Sequence, residues 1–311
     1  MNVLSLFDGI STGFVAFKKL NIPVENYYAY EINKRSILIA EKNHPEIIEC
    51  GDVLDADFSQ YKGHIDIIIG GSPCKNFSRL GDNRGLSGLL EYEFYIQEKE
   101  KYGKDIVDLY GQSCLFWEYI RALKEVQPKY FLLENVKMNS RWVDLISSEL
   151  GVKPISINSK LVSAQNRDRL YWTNIPNVSV PVDKCIYLDD VVGNDLVKAV
   201  ETPLFRMSID FIRDKFGYIP RCFNPKNEYE ILLKSPCLTT STGIYTTNSI
   251  VYYIDGQFLV PDIVVWERLQ TLPDGYTEDI SLTVAQRKKL LGDAWTVDVI
   301  VEILKNIDKA G

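Results

Sequence analysis

Over its first half the chain alternates between two rhythms. "VLSLF" (3–7) is a continuous apolar run of strand length, and it leads through the glycine-containing turn "DGISTG" into "FVAFKKL", whose apolar positions recur at helical spacing. "YYAYEI" (27–32) predicts a second strand and "KRSILIAEKN" a second helix. "IDIIIG" (65–70) predicts a third strand, "CLFWEYIRALKEV" (114–126) a helix, "KYFLLENV" (129–136) a fourth strand and "VDLISSEL" a further helix, before "KPISIN" and "RLYWTNI". Strands that alternate with helices pair in parallel, so the pattern predicts an α/β fold with a doubly wound, mostly parallel sheet.

The rhythm breaks near residue 177. Prolines, paired aspartates and short mixed segments run to about 259, with the β-rich "TNSIVYYIDGQFLV" near the end. Helical patterning returns in "DIVVWERLQTL" and "AWTVDVIVEILKNI". The expected division is therefore a first domain over 1–176, a second, smaller domain over 177–259, and a C-terminal segment, 260–311, that rejoins the first. Between two elements of the first domain, 88–110 is charged and tyrosine-rich. Within it, the excess of carboxylates over 89–110 predicts a solvent-facing excursion or a partner contact rather than a nucleic-acid surface.

Composition narrows the class. A chain of 311 residues with 46% hydrophobic content suits one large domain with a smaller one attached. "MNVLSLFDGI" enters a strand without a basic leader, and no apolar stretch approaches the ~18 residues of a membrane span, so a soluble, cytoplasmic protein is expected. Six cysteines with no Cys-x-x-Cys pair, and only two histidines, give little support to a zinc site, a disulfide framework or a Cys-His protease dyad. Five of those cysteines read as small buried apolar groups. The net charge of -7 argues against a surface coated in phosphate contacts but leaves room for a local basic cleft.

Three strand ends carry candidate chemistry. In "FDGISTG", Gly9 and Gly13 permit close approach of a ligand to the backbone, and ligands of doubly wound sheets bind at the carboxyl ends of strands. Glu31, ending the second strand, is placed to accept from both hydroxyls of a ribose. Asp52, in the following loop, is placed to accept from an adenine amino group. A nucleoside-type cofactor follows; neither Gly-x-Gly-x-x-Gly nor a Walker Gly-Lys-Ser/Thr is present, which argues against dinucleotides and ATP. In "GGSPCKNFSRLG", Pro73 stiffens a turn that presents one thiol, Cys74, with Lys75 and Arg79 nearby to favour its thiolate. "ENV" delivers Glu134 to the same sheet edge. A thiolate and a carboxyl together suit attack on an electron-poor ring with a proton held against it.

"FDGISTG", "GGSPC", "ENV", "QNRDR", "RLQTLPDGY" and "GDAWTVDVI" stand in the order found in cytosine-C5 DNA methyltransferases. The chain resembles that family, in its free-standing bacterial and phage form, with "SLFDGI" and "CLFWEYIRAL" spelled most like the Dnmt3-type branch. The resemblance implies S-adenosylmethionine as methyl donor. By position, Phe7, Asp8, Gly9, Gly13, Glu31, Ile32 and Asp52 would line that cofactor, and Trp295 would close the pocket. Cys74 would add to C6 of a flipped cytosine, Glu134 would hold and protonate N3, and Arg169 and Arg167 would bind O2 and neighbouring phosphate. Residues 75–87 resemble the mobile loop that closes on the base, with Lys75, Arg79 and Arg84 facing DNA. Asp293 stands where many members carry Asn.

Duplex DNA is the expected partner, with a cognate restriction enzyme as a second. Methylation of tRNA cytosine is the alternative, because one branch of the family applies the same motifs to RNA. A non-catalytic DNA-binding regulator is the reading from another class, disfavoured because the nucleophile and the cofactor turn are both present. Sequence reading by the protein is expected in 177–259, where Lys198 to Lys226 carries six cations against three carboxylates; Arg206, Arg213 and Arg221 are its candidate contacts.

Overall fold

A computed structural model describes residues 1–73, 91–226, 231–241 and 243–307. Contacts divide the chain into two compact units: 1–157 with 168–180 and 301–311, and 158–167 with 181–300. By contact, then, 260–300 groups with the second unit and 158–167 joins it. Division by motif and division by packing differ because the motifs follow the chain while contacts follow its folding back.

The first unit is built on a seven-stranded sheet. Its elements are β1 (Asn2–Leu6), α1 (Thr12–Lys19), β2 (Asn26–Tyr30), α2 (Lys34–Asn43), β3 (Ile48–Gly51), β4 (Ile67–Gly70), α3 (Tyr92–Tyr102), α4 (Ile106–Tyr110), α5 (Phe116–Val126), β5 (Tyr130–Val136), α6 (Ser140–Leu150), β6 (Ile155–Asn158) and β7 (Asp168–Thr173). The strand order is β3-β2-β1-β4-β5-β7-β6. β1 to β5 pair in parallel, and their apolar runs are buried because helices cover both faces. β7 runs antiparallel to β5, with Glu134 opposite Tyr171 and Val136 opposite Arg169. β3 was not predicted: "IECG" is short and half polar, as an edge strand is, and carries no apolar period of its own.

β4 ends where the sheet is tightest. A Cβ on Gly70 would lie 2.9 Å from the Leu6 carbonyl oxygen and 3.1 Å from the Tyr119 ring, so only glycine lets β4 run this close to β1 and α5. In the described part of the expected 89–110 excursion most charged side chains face solvent, but the segment is anchored at two buried residues. Tyr95 and Ile106 are fully buried in the same core cluster as Phe116, Trp117 and Leu133. Tyr95 Oη donates to Glu118 Oε1 (2.5 Å) and Lys99 Nζ lies 2.8 Å from the same atom. Of the segment's charges Lys99 alone is directed at this buried carboxylate of α5; Glu91, Glu93, Glu100, Lys101, Lys104, Asp105 and Asp108 are exposed.

The second unit holds α7 (Leu188–Val192), β8 (Leu196–Lys198), α8 (Pro203–Phe216), β9 (Cys222–Phe223), β10 (Val251–Ile254), β11 (Gln257–Pro261), α9 (Ile263–Leu269), α10 (Val284–Asp293) and the start of α11 (Val297–Leu304). Its sheet has the order β8-β11-β10-β9 and is antiparallel throughout. The β-rich run near 250 is a hairpin whose two-residue turn, Asp255-Gly256, has positive φ at both positions (50° and 77°), the geometry that matches strand twist. Phe205, Ile209 and Ile212 of α8 pack on Phe223 and Val251 of the sheet. No described helix is long and apolar enough to cross a membrane.

Candidate active site

The turn after β1 is held in a conformation its sequence does not prefer. Phe7 (φ 59°) and Ser11 (φ 57°) join Gly9 (φ 62°) in the left-handed region, which is costly for the two residues with side chains. Asp8 offsets that cost. Its buried carboxylate accepts from Ser5 Oγ (2.5 Å), Tyr27 Oη (2.7 Å) and Ser11 Oγ. Burial raises its pKa, against those hydroxyl donors, which lower it. Asp8 is thus an internal brace of the turn, while Gly13 is buried within α1.

Glu31 closes the turn from β2. Oε2 accepts the Gly9 N–H (2.8 Å), and Oε1 accepts the N–H groups of Ile32 (2.8 Å) and Asn33 (2.7 Å). Ile32, beside it, leaves 68% of its surface in solvent although it is apolar. Nothing lies within 4 Å of the place a Gly9 Cβ would take. A fixed carboxylate, an open backbone cradle and an exposed aliphatic side chain suit a ribose and the face of a base. Past β3, Asp52 caps a 3-10 turn, Val53–Asp55, by accepting the Leu54 N–H (3.0 Å). Its other oxygen lies 2.9 Å from Lys104 Nζ. The cofactor candidates Phe7, Asp8, Gly9, Glu31, Ile32 and Asp52 therefore share the carboxyl ends of β1, β2 and β3.

The second cluster lies at the ends of β4 and β5. Arg169 Nε approaches Glu134 Oε1 to 3.0 Å, diagonally across the β5–β7 ladder, with both side chains mostly buried. Asn135 Nδ2 donates to Ser72 Oγ (3.1 Å) and to the Ser72 carbonyl (3.3 Å), tying the exit of β4 to β5. Asn135 was missed as a site residue; its place beside Glu134 in "ENV" was the available signal. Cys74, Lys75, Arg79 and Arg84 lie outside the described residues.

Elsewhere the thiols are poorly suited to nucleophilic work. Burial pushes Cys114 and Cys222 up to about 12 and also raises Cys50. Cys185 is exposed and Cys50 and Cys237 are half-buried, so of the five expected to be buried only Cys114 and Cys222 are. Among the described residues no group of three His, Cys, Asp or Glu side chains could hold a metal ion.

Arg167 and Trp295 belong to the second unit. Arg167 was expected on substrate; its guanidinium is buried and Nη1 donates to the carbonyls of Leu238 (3.1 Å) and Gly292 (3.1 Å). These contacts give it a bracing role. Beside it, Gln165 donates to the Leu269 carbonyl (3.1 Å) and to Gln270 Oε1 (3.0 Å) and accepts the Leu238 N–H (3.0 Å). Gln270 in turn donates to the Leu291 carbonyl (2.6 Å) and accepts from Thr296 Oγ1 (2.8 Å). "QNRDR", "RLQTLPDGY" and "GDAWTV" are thus knitted by two buried amides, which sequence reading did not single out. Trp295 is half-buried beside Thr296.

The DNA candidates of the second unit are exposed, and each faces a carboxylate. Arg206 pairs with Glu201 (3.2 Å), Arg213 with Asp210 (3.8 Å) and Arg221 with Asp189 (2.6 Å). Exposed pairs of this kind hold little energy and exchange readily for another anion.

Residues 1–142 match the profile of the family described as C-5 cytosine-specific DNA methylase. The orphan methyltransferase M.SPRI of Bacillus phage SPR is 30% identical over 188 residues, 56% of this chain and 38% of that protein. The type II methyltransferase M.FnuDI of Fusobacterium nucleatum is 30% identical over 198 residues, 58% of this chain and 50% of that one. M.NgoPII of Neisseria gonorrhoeae, also a type II methyltransferase, is 35% identical over 140 residues, 44% of this chain and 33% of that one. The chain thus spans half or less of these relatives' length. Among solved structures, the Entamoeba histolytica methyltransferase EhMeth superposes with TM-score 0.70 at 17% identity, over 98% of this chain and 97% of that one. A Spodoptera frugiperda DNMT2 variant superposes with TM-score 0.66 at 18% identity, over 98% of both chains. These likenesses show the fold.

Proposed function

We propose that this protein, whose residues 1–142 match the family described as C-5 cytosine-specific DNA methylase, is a DNA (cytosine-5)-methyltransferase. It acts on a cytosine flipped out of duplex DNA, since no ring atom of a stacked base is accessible to a nucleophile. The observation that carries the reading is the Glu134–Arg169 pair, 3.0 Å apart, at the strand edge that Asn135 ties to Ser72, two residues before Cys74.

The residues at the ends of β1, β2 and β3 fit S-adenosylmethionine: Glu31 for the ribose hydroxyls, Asp52 for the adenine amino group, Ile32 for the base, the Gly9 turn for the remainder. When bound, that cofactor supplies a methyl group made electrophilic by the sulfonium. The Cys74 thiolate adds to C6 of the cytosine, and the ring electrons move so that C5 becomes nucleophilic. Glu134 holds N3 and supplies its proton. Arg169 orients the Glu134 carboxyl and offers its remaining donors to O2. After methylation, loss of the C5 proton returns the electron pair to the ring and expels the Cys74 sulfur.

The test is transfer of labelled methyl from S-adenosylmethionine to duplex DNA and, in parallel, to tRNA. Incorporation into DNA at cytosine C5 is expected. Incorporation into tRNA alone would replace the substrate. DNA bearing 5-fluorocytosine at the target should trap a covalent adduct that Cys74→Ala abolishes. An adduct that survives this change would refute the nucleophile.

A further inference from the structure

The segment between α3 and α4 reaches the candidate adenine end of the cofactor site. Lys104 sits in a 3-10 turn, Gly103–Asp105, that joins the two helices. Its Nζ lies 2.9 Å from Asp52 Oδ2 and 2.6 Å from Asp55 Oδ2. The other Asp52 oxygen is occupied by the Leu54 N–H at 3.0 Å. Both oxygens of the carboxylate are therefore engaged, one by Lys104 and the other by the Leu54 N–H.

Lys104 is anchored from both sides. Two residues after it, Ile106 is fully buried, and on α3 Tyr95 is fully buried with its hydroxyl on Glu118. Glu118 also takes Arg121, whose Nη2 lies 2.7 Å from Oε2. The same Nη2 donates to the backbone carbonyls of Ala56 (3.0 Å) and Val53 (3.3 Å). The turn 52–56 is gripped twice: its backbone by Arg121 from α5, its carboxylates by Lys104. The Lys104 grip is seated by the buried residues Tyr95 of α3 and Ile106 of α4, the Arg121 grip by Glu118 of α5. An exposed ion pair by itself contributes little to stability. What this one fixes is orientation, because Asp52 and Asp55 repel each other and would otherwise turn apart.

We propose that Lys104 is a positioning residue for nucleoside binding: by bridging Asp52 and Asp55 it holds the Asp52 carboxylate in place to accept the amino group of the adenine ring. This rests on the assignment of Asp52 to the adenine. Each oxygen of a carboxylate can accept more than one hydrogen bond, so the Lys104 and Leu54 contacts leave acceptor capacity for the ligand. A carboxylate already fixed loses less freedom on binding than one that must be ordered by the ligand.

The experiment is a double-mutant cycle read by calorimetric titration with S-adenosylhomocysteine on the full chain. Lys104→Met, which keeps the stem and removes the charge, should raise Kd about fivefold, and Lys104→Arg should recover most of that loss. Asp52→Ala should raise Kd roughly tenfold or more. In the Asp52→Ala background, Lys104→Met should add less than twofold, since the group it positions is gone. A fivefold effect that persists in that background would make Lys104 a structural prop and overturn the proposal. Unchanged or tighter binding by Lys104→Met alone would overturn it too, the latter showing a competitor for the adenine site. A wild-type protein that does not bind S-adenosylhomocysteine, or an Asp52→Ala variant that binds as well as wild type, would instead remove the adenine assignment itself.

Discussion

Glu31→Gln isolates what the strand-end carboxylate does. The native side chain accepts three backbone N–H groups, two on Oε1 and one, from Gly9, on Oε2. Glutamine has the same shape but one acceptor oxygen. If that oxygen keeps the Ile32 and Asn33 pair, the amide nitrogen faces the Gly9 N–H, donor against donor. One charge-assisted hydrogen bond is lost, at about 1.5–3 kcal/mol. The loss falls on the turn that already holds Phe7 and Ser11 at positive φ. Stability measured by urea denaturation should fall by about 1–3 kcal/mol, the usual cost of leaving a buried donor without its acceptor. A ribose hydroxyl loses the same acceptor, and at about 1.4 kcal/mol per decade S-adenosylhomocysteine should bind roughly 10- to 150-fold more weakly by calorimetry. A variant that loses stability but binds within twofold of wild type would show that Glu31 serves the turn alone. A variant unchanged in both would refute the reasoning altogether.

The pKa of Glu49 on β3 is raised to about 7, first by burial and then by Asp8, Glu41 and Glu31, and among the described residues neither of its oxygens has a hydrogen-bond partner. Its folded pKa lies above its unfolded value, so the folded state binds the proton more tightly; stability should fall as pH rises from about 4.5 to 7, and Glu49→Gln should flatten that fall in melting scans between pH 5 and 8. Equal pH slopes for wild type and variant would show that Glu49 is not held in its protonated form. Gly70→Ala places a methyl 2.9 Å from the Leu6 carbonyl, and overpacking there should cost about 1–3 kcal/mol in chemical denaturation; a smaller loss would mean that β1 and β4 yield. Single Ala substitutions at Arg206, Arg213 and Arg221 should leave stability within about 0.5 kcal/mol. Any of the three that touches phosphate should reduce the salt slope of DNA affinity by about 1; no change at any of the three would remove this patch as a DNA face.

How far the sequence could be read follows from where local pattern determines structure. β1, β4, β5 and α5 are legible because continuous apolar runs and helical spacing are local properties, and each lies within a few residues of expectation. Glu31 and Glu134 are legible because strand ends are where side chains leave the sheet. β3 was not, since an edge strand of four residues is held by pairing with β2 rather than by its own pattern. The anchoring of α3 was not legible, because most of its charges are solvated as they read and only Tyr95 and Lys99 turn in to one buried partner, Glu118 of α5. Arg167 was read by motif position alone, and the acceptors that occupy it, at Leu238 and Gly292, lie 71 and 125 residues along the chain.

The folding back of 158–167 into the second unit bears on how this polypeptide can be divided. Ten residues inserted between β6 and β7 supply Gln165 and Arg167 to carbonyls at 238, 269 and 292. A protein split between residues 180 and 181 would leave one fragment exposing those two polar side chains and the other retaining their acceptors. Neither fragment would satisfy its buried groups until the two met. A cut there separates the Gln165 amide and the Arg167 guanidinium from the carbonyls that hold them.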